Sequence, residues 1–397
     1  MESFVIDNVN AILEDGIRER AAVRIGGGRI AEIGDAGSLK ADGTVDGEGL
    51  YLSPGFIDLH VHGGGGADFM DADPVACRTA IGFHMLHGTT TIVPTALCAD
   101  DEELARMFGA VIAVKRSEEA KRLPRIAGVH LEGPFINPGQ AGALNPEYTK
   151  TPSPGAWEKI LGYAGGELLI WTVAPELEGA DRMCRELKEY GIVFSAGHSE
   201  ATYGESVRAF DSGFTMATHL YSSMSTIIRV RGERVPGLLE ASLLRDDVTC
   251  EVIADGRHLP EPLLRTVVRM KGTDRIVLVT DAMRGAGMPD GEYMLGSEKN
   301  GRRTLVFDGI AHTPDGVSFA GSVATADRLL RVMTKVAGVP LFEAVKMITK
   351  NPAREIGLGD RRGVIKEGYD ADLVLFDGDI NVRSVFIGGQ KLFGRTE

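Results

Sequence analysis

The sequence predicts an α/β protein: a (β/α)8 barrel of the TIM type with a small β-sandwich domain formed by the N- and C-terminal segments. In the middle of the chain, short β-branched runs alternate with helical stretches, and eight such runs fit into roughly 300 residues. At both ends, short strands instead alternate with glycine turns. We expect residues 53–352 to form the barrel and residues 1–52 plus 353–397 to form the small domain.

The two terminal segments have the same pattern. The runs "SFVIDNVNAI", "RERAAVRI" and "RIAEIG" are separated by the turn at Asp15-Gly16 and by the glycines at 26–28. After Pro352, "GVIKEGYDADLVLF" and "VRSVFIGGQKLF" again alternate strands with glycine turns. Neither segment is long enough to be an independent domain, so we expect the two to pair into one minor sheet that brings the chain ends together.

The barrel is predicted from eight apolar runs that alternate with helical stretches. In chain order the predicted strands are 56–62, 89–95, 125–133, 168–176, 192–199, 215–221, 249–255 and 275–282.

Side chains that can bind metals stand at the ends of most of these runs. The C-terminal ends of barrel strands surround the active site in this architecture, so residues far apart in sequence meet at one rim. The residues in question are His60, His62, Glu132, His198, His219, Asp255, His258 and Asp281.

The H-x-H pair at the end of the first run indicates a metal site. Residues i and i+2 of a strand point to the same face, and two imidazoles there can reach one ion at about 2.0–2.1 Å from each nitrogen. A ligand set of imidazoles and carboxylates without thiolates suits a divalent cation, with Zn²⁺ the first choice and Fe²⁺ or Mn²⁺ the alternatives. We predict one or two ions, with Glu132 placed to bridge two ligand groups: His60, His62 and Asp281 for one ion, and His198 with His219 for the other.

Other histidines and the glycines at 63–66 have simpler interpretations. A single buried histidine is usually a hydrogen-bonded core residue, and we assign that role to His84, His87, His130 and His312. The four glycines form either a plain loop or a close approach of the backbone to metal or substrate. No G-x-G-x-x-G opens a helix there, so a dinucleotide site is excluded.

Composition argues against several functional classes. The 397 residues carry a net charge of −13 with a pI near 5.3, which disfavours nucleic acid and anionic membranes as partners. The sequence has no apolar run of 18 residues and no basic signal segment at its N-terminus. Its four cysteines are scattered without a C-x-x-C pair, so we expect no disulfide framework and a cytoplasmic location.

Seven segments, taken in order, resemble the amidohydrolase superfamily and, within it, the N-acetylglucosamine-6-phosphate deacetylases. They are "SPGFIDLHVHGGGG", "HLEGPF", "AGHSEATY", "ATHLY", "ADGRHLP", "LVTDAM" and "AGSVATAD". The resemblance implies a barrel with a β-sandwich, a homodimer, and a small-molecule amino sugar phosphate as substrate. It also implies hydrolysis of the acetamide to a free amine and acetate.

The resemblance assigns roles to individual residues. Asp281 corresponds to the catalytic acid/base, acting with a metal-bound hydroxide, and His60, His62, Glu132, His198, His219 and Asp281 to the metal positions. Arg234 corresponds to an arginine that reaches the phosphate in the neighbouring subunit's active site. The remaining substrate-binding positions correspond to Ala143, Ser222, Ser223, His258 and Ala320.

The sequence departs from the family pattern at substrate positions. Leu144 stands where the family has a histidine, and Ser222-Ser223-Met224 replaces an Asn-Ala-Met. A different N-acyl amino sugar therefore stays open as substrate. A cyclic amidase or deaminase on the same scaffold is the first rival, although the fourth run is not followed by the lysine that commonly bridges metals in cyclic amidases. A non-catalytic binding protein is the second rival.

Overall fold

The computed structural model describes residues 3–395. Its first five strands belong to one mixed sheet: β1 Phe4–Ile12, β2 Ile17–Gly26, β3 Arg29–Asp35, β4 Gly43–Asp46 and β5 Tyr51–Pro54. β1 to β3 form an antiparallel meander, while β4 and then β5 pair in parallel with the other edge of β1. Asn8 has φ 54°, and the register between β1 and β2 shifts between Ile6 and Val9. The irregularity lies between the stretch of β1 that pairs with β4 and the stretch that pairs with β5.

The middle of the chain forms the barrel that the sequence predicts. The strands of this region are β6 Phe56–Val61, β7 Gly63–Gly64, β8 Ala67–Asp68, β9 Thr89–Ala96, β10 Arg125–Ile126, β11 Val129–Glu132, β12 Leu168–Val173, β13 Val193–Ala196, β14 Met216–Ala217, β15 Ile228–Val230, β16 Glu233–Val235, β17 Thr249–Val252 and β18 Ile276–Leu278.

Eight parallel segments follow one another around the barrel in the order β6-β9-β11-β12-β13-β14-β17-β18. The last segment meets the first where Asp281 N donates to His60 O at 2.8 Å. The third predicted run is split into β10 and β11 by Ala127 and Gly128. A side chain at Gly128 would collide with Leu169 and the Glu167 carbonyl, so the chain lies close to the neighbouring segment there.

A helix follows each barrel segment. The helices are α1 Pro74–Met85, α2 Asp101–Lys115, α3 Pro154–Ala164, α4 Ala180–Glu186, α5 Tyr203–Ser212, α6 Leu238–Leu244, α7 Glu261–Lys271 and α8 Ala326–Arg331, after which come α9 Leu341–Ile348 and α10 Lys350–Glu355. Their starts follow sequence signals: Asp73 caps α1 beside Pro74, and Thr202 with Glu205 forms a capping box at α5. These caps satisfy backbone N–H groups that a helix leaves free at its start.

Two further β segments complete the chain. β19 Gly291–Leu295, β20 Arg302–Phe307 and β21 Ile310–His312 form a small antiparallel sheet after the eighth barrel segment. β22 Leu373–Phe376, β23 Val382–Ile387 and β24 Gln390–Gly394 return to the first sheet, where β22 pairs with β5. The predicted fold class is therefore confirmed.

The apolar core has separate parts that match this architecture. The barrel interior is filled by residues such as Ile57, Leu59, Val93, Ile170 and Met216. A second cluster combines side chains from both ends of the chain, among them Ile6, Leu52, Leu373 and Phe386. β5 stays in the terminal sheet as far as Pro54, and the domain division at 52/53 and 352/353 stays a prediction. Within residues 3–395, no helix is long and apolar enough to span a membrane.

Candidate metal centre

Six side chains of the predicted ligand set meet at the C-terminal ends of the barrel segments. None of them is more than 6% exposed. They come from five different segments: His60 and His62 from the end of β6, Glu132 from the end of β11, His198 from beyond β13, His219 from beyond β14, and Asp281 from beyond β18. Parallel strands bring these residues to one rim although more than 200 positions separate the first from the last.

The side chains form two ligand groups. In the first group, His62 Nε2 lies 2.9 Å from Asp281 Oδ1, and His60 Nε2 lies 3.6 Å from the same oxygen. In the second group, Glu132 Oε1 lies 2.9 Å from His198 Nε2 and 2.9 Å from His219 Nε2. In each group, all the ligand atoms lie within 4.8 Å of one another.

Glu132 contacts both groups. Its Oε2 lies 3.4 Å from His62 Nε2, and its Oε1 lies 3.5 Å from His60 Nε2. The carboxylate therefore stands between the two groups, the position expected for a ligand shared by two ions.

The arrangement of polar atoms fits a bound cation. His198 Nε2 and His219 Nε2 face each other at 3.1 Å, a contact between two nitrogens that both point to the same space. His60 Nε2 is buried and has no hydrogen-bond partner within the described chain. Buried polar atoms without partners are costly, and a metal bonded to these nitrogens would satisfy them. The donor set contains imidazoles and carboxylates only, as zinc, iron and manganese accept.

The electrostatic environment keeps the two acids ionised. Burial alone would raise the pKa of Glu132. The neighbouring His60 and His198 lower it by more than burial raises it, so the pKa lies well below its usual value. Burial likewise raises the pKa of Asp281, while His62 and His60 lower it to a net decrease. Carboxylates must be deprotonated to bind metal, and both acids meet this condition near neutral pH.

Contacts behind the ligands orient the rings. His198 Nδ1 lies 2.8 Å from Gln140 O, and His60 Nδ1 lies 3.0 Å from Glu251 Oε2. When Nδ1–H donates outward, the lone pair of Nε2 faces the ligand group, which is the usual way that proteins fix a metal-binding tautomer.

Three of the six residues have left-handed backbone conformations. The φ angles are 49° at His198, 23° at His219 and 48° at Asp281. A non-glycine residue in this region costs about 1–3 kcal/mol and persists only where the surrounding structure imposes it. Each such residue lies just past the end of its strand, where the change in φ turns the chain into the following loop.

A cavity of about 420 Å³ lies at this rim and includes five of the six residues in its wall. Of the predicted substrate-binding residues, Ala143, Ser222, Ser223 and His258 line it, and Leu144 does as well. Arg234 lies outside the wall on the exposed strand β16, and Ala320 is buried between the two wall residues Phe319 and Gly321.

His258 occupies a defined place in the wall. Its Nδ1 lies 2.9 Å from Asp255 Oδ2, and its ring lies 4.4 Å from that of Phe319. His312 also lies beside Phe319, with ring centroids 5.7 Å apart, and it lines the cavity as well. The interpretation of His312 as a core residue is therefore wrong, because the hairpin β20–β21 carries it over the barrel mouth.

The assignment as a buried core residue holds for His84 and His130 but not for His87, whose side chain is 22% exposed. His84 and His130 are fully buried and hydrogen-bonded, and His87 pairs with Asp327 at 3.1 Å. The glycines at 63–66 approach protein rather than the cavity: a side chain at Gly63 would overlap the Ala67 carbonyl in the β7–β8 hairpin.

Sequence reasoning missed two residues of this region. Glu251 is a fully buried carboxylate on β17 that contacts His60. Its signal was a single charged residue inside the apolar run "CEVIA". Phe319 carried no signal, because its place in the cavity depends on the path of the loop that precedes it.

Comparisons with known proteins agree with this geometry. Residues 51–392 match the sequence model described as the amidohydrolase family. The N-acetylglucosamine-6-phosphate deacetylase of Lysinibacillus sphaericus is 33% identical over 98% of this chain and 97% of its own length. An N-acetylgalactosamine-6-phosphate deacetylase of Escherichia coli O157:H7 is 32% identical over 85% of this chain and 87% of its own.

Solved structures give the same result. A mutant N-acetyl-D-glucosamine-6-phosphate deacetylase from Mycobacterium smegmatis, in complex with N-acetyl-D-glucosamine-6-phosphate, superposes with a TM-score of 0.88. It is 32% identical and covers 98% of each chain. The N-acetylglucosamine-6-phosphate deacetylase from Pasteurella multocida superposes with a TM-score of 0.90 at 26% identity, covering 99% of this chain and 100% of its own.

Proposed function

Because this chain belongs to the amidohydrolase family, we propose that it hydrolyses the acetamide of N-acetylglucosamine 6-phosphate to glucosamine 6-phosphate and acetate. The observation that carries the proposal is the pair of ligand groups joined by Glu132 at the wall of a 420 Å³ cavity. Relatives about one third identical over nearly the whole chain have this named activity.

The proposed cofactor is one or two divalent cations, with zinc the first choice and iron or manganese the alternatives. His60, His62 and Asp281 would hold one ion, and Glu132, His198 and His219 the other. When bound, the metal lowers the pKa of a coordinated water and polarises the substrate carbonyl.

Asp281 is proposed as the catalytic acid/base. Its carboxylate lines the cavity and is ionised, so it can accept a proton from the attacking water and pass that proton to the departing nitrogen. The proton is essential because an amine anion is too basic to leave. Asp281 N is fixed by its hydrogen bond to His60 O at 2.8 Å, which holds the carboxylate beside the first-strand ligands.

His258 is proposed to contact the substrate from the wall of the same cavity. Asp255 accepts a hydrogen bond at 2.9 Å from His258 Nδ1, which leaves Nε2 free to meet a polar group. Ala143, Ser222, Ser223 and Ala320 belong to the same proposed binding surface. Leu144 presents an apolar side chain in this wall. It cannot make the contact to the sugar that the histidine of the family would make at this position.

Phosphate recognition is proposed to come from a second copy of this chain. Arg234 lies on the β15–β16 hairpin together with Arg229 and Arg231, and all three are exposed. The hairpin also exposes Ile227 and Ile228, which are 53% and 57% exposed. Apolar side chains beside guanidinium groups on a projecting hairpin suit a homodimer in which this arm covers the neighbouring cavity.

The reaction is proposed to take place in the cytoplasm. All four cysteines are buried free thiols, which agrees with a reducing compartment.

The test is acetate release by zinc-loaded protein from N-acetylglucosamine 6-phosphate, with N-acetylgalactosamine 6-phosphate and unphosphorylated N-acetylglucosamine in parallel. We expect kcat/KM to be on the order of 100-fold higher with phosphate than without, since a charge-assisted contact contributes about 1.5–3 kcal/mol. Asp281→Asn should reduce the rate by about 10²–10⁴-fold.

Each other result has a defined meaning. A preference for the galactosamine isomer would retain the deacetylase chemistry and correct the sugar. Equal rates with and without phosphate would refute the role of Arg234. No acetate from any of the three, from protein that contains metal, would overturn the sugar assignment.

A further inference from the structure

Glu251 has no place in the reaction described above, yet it lies in contact with both ligand groups. It stands on β17, is 0% exposed, and points into the barrel below the ligand cluster. Its Oε2 lies 3.0 Å from His60 Nδ1 and 3.2 Å from His219 N. His60 belongs to the first ligand group and His219 to the second.

The contact to His60 determines which nitrogen is available to a metal. An ionised carboxylate only accepts hydrogen bonds, so His60 Nδ1 must carry the proton. The lone pair then lies on Nε2, the buried atom that has no partner elsewhere in residues 3–395 and faces Glu132 and Asp281.

The contact to His219 acts on the backbone. His219 has φ 23°, a conformation that needs support from its surroundings. Its N–H donates to Glu251 Oε2, and the next residue, Leu220, donates its N–H to Glu251 O at 2.9 Å. The side chain and the main chain of Glu251 therefore hold the turn that carries the second group's ligand, His219.

Glu251 is unsuited to be a ligand itself. His60, His130 and Glu251 lie close enough to hold an ion, but both nitrogens of His130 are already bonded, to Leu59 O at 3.1 Å and Thr172 Oγ1 at 2.7 Å. In that group the nitrogen of His60 that would bind the ion is Nδ1, which is already hydrogen-bonded to Glu251.

We propose that Glu251 is a positioning residue that fixes one ligand of each group and thereby couples the two metal positions. This rests on the metal centre of the proposed function but not on the identity of the sugar.

The geometry predicts different effects for two substitutions. Both contacts go to Oε2, while Oε1 is buried without a partner in the described chain. In Glu251→Gln the amide oxygen can accept both hydrogen bonds, so zinc affinity should stay within a few-fold of wild type. In Glu251→Leu both are lost, and zinc affinity of the first group should fall about 10–100-fold, as when the partner behind a metal-binding histidine is removed. The second group should weaken as well.

The experiment is zinc titration of metal-free protein against a chromophoric chelator, with the bound metal counted by mass spectrometry. Glu103→Gln is the matched control: it removes another carboxylate that is only 3% exposed but belongs to neither ligand group. Wild-type affinities at both positions in Glu251→Leu would overturn the proposal. Equal losses in Gln and Leu variants would also overturn it, because charge rather than hydrogen bonding would then be the cause.

A second measurement holds even where Glu251→Leu fails to fold. In zinc-loaded, ¹⁵N-histidine-labelled wild-type protein, assigned by comparison with His60→Gln, His60 should carry a single proton, on Nδ1. An Nε2–H tautomer would refute the positioning role. The two measurements report zinc affinity and the protonated nitrogen of His60. Neither depends on which sugar is the substrate, so a wrong sugar assignment would not change their outcome.

Discussion

Buried His84 is one of the residues that make the stability of this molecule sensitive to acid. Its ring is 0% exposed and its Nε2 lies 2.9 Å from Gly63 O. Burial lowers its pKa to about 4, against 6.5 in the unfolded chain. The unfolded state therefore binds more protons than the folded state as pH falls below 6.5. The contribution of the neutral His84 ring to the free energy of unfolding is fully present above pH 6.5 and is lost progressively as the pH falls toward 4.

We expect the neutral form of His84 to account for about 3 kcal/mol of the fall in unfolding free energy of metal-free protein between pH 7 and 4. His84→Gln should flatten that part of the pH profile, measured by urea unfolding at several pH values. His312→Gln, a change at the cavity wall, is the control and should keep the wild-type profile. Identical slopes in wild type and His84→Gln would contradict the argument.

Arg284 is predicted to be the most sensitive charged residue outside the ligand groups. Its side chain is 3% exposed and donates to Asp71 Oδ1 at 2.7 Å, to Met294 O at 2.7 Å and to Gly296 O at 2.6 Å. Arg284→Ala leaves these acceptors unpaired in a buried site and should lower the unfolding free energy by about 3–5 kcal/mol. Chemical denaturation measures this. Arg303→Ala, which removes an exposed pair with Glu292, should unfold at the wild-type denaturant concentration.

At the residue scale, the sequence predicted which side chains meet at the rim, because strand ends mark them; their role as metal ligands stays a prediction. His60 and Asp281 stand where apolar runs stop, and in a parallel barrel all such stops face the same way. Glu251 could not be found this way, because it lies within its run rather than at the end. The positive φ values of His198 and His219 were also out of reach, since they are imposed by tertiary contacts and not by residue type.

At the scale of an element, the β15–β16 hairpin is predicted to serve the neighbouring cavity. If Arg234 serves the neighbouring cavity, Arg234→Ala should raise KM for the phosphorylated substrate about 10–100-fold and leave that for the unphosphorylated sugar unchanged. Steady-state acetate release gives both values.

Mixing two impaired variants, at a substrate concentration far below the wild-type KM where each alone is nearly inactive, tests whether Arg234 acts across the dimer. In a mixed dimer of one Arg234→Ala chain and one Asp281→Asn chain, the subunit with an intact Asp281 has a neighbour with an intact Arg234. Random pairing makes half of the dimers mixed, so about a quarter of the wild-type activity should return. No recovery after subunit exchange, verified by native mass spectrometry of the mixed dimer, would place Arg234 in its own subunit's site or outside any site.

Elements differed from expectation mainly in length. The sixth run was predicted over 215–221, but β14 contains only Met216–Ala217, because the chain turns at His219 to present its ring. The third run was predicted as one strand and is interrupted at Gly128, where the next segment approaches closely. Apolar patterning predicts that a strand exists, whereas its ends depend on neighbours.

For the whole molecule, metal binding should contribute strongly to stability. The rim gathers four imidazoles and two carboxylates in a buried cluster, and His60 Nε2 has no hydrogen-bond partner there within residues 3–395 unless a cation is bound. A ligand that binds only the folded state at 100 times its Kd adds about 2.7 kcal/mol. We expect chelation to lower the melting temperature by several degrees, with zinc restoring it, in differential scanning calorimetry. An unchanged melting temperature with a proven loss of metal would contradict a metal centre made by these residues.

The pairing of β5 with β22 has a consequence for synthesis of the protein on the ribosome. Pro54 pairs with Leu373, so more than three hundred residues must be translated before the first sheet can be completed. At about 5–20 residues per second, the N-terminal strands wait on the order of 15–60 s for their partners. Throughout that interval Leu52 and the apolar face of β1 lack the side chains that later cover them. We expect nascent chains stalled before residue 373 to bind chaperones through this edge and to release them once β22 has emerged.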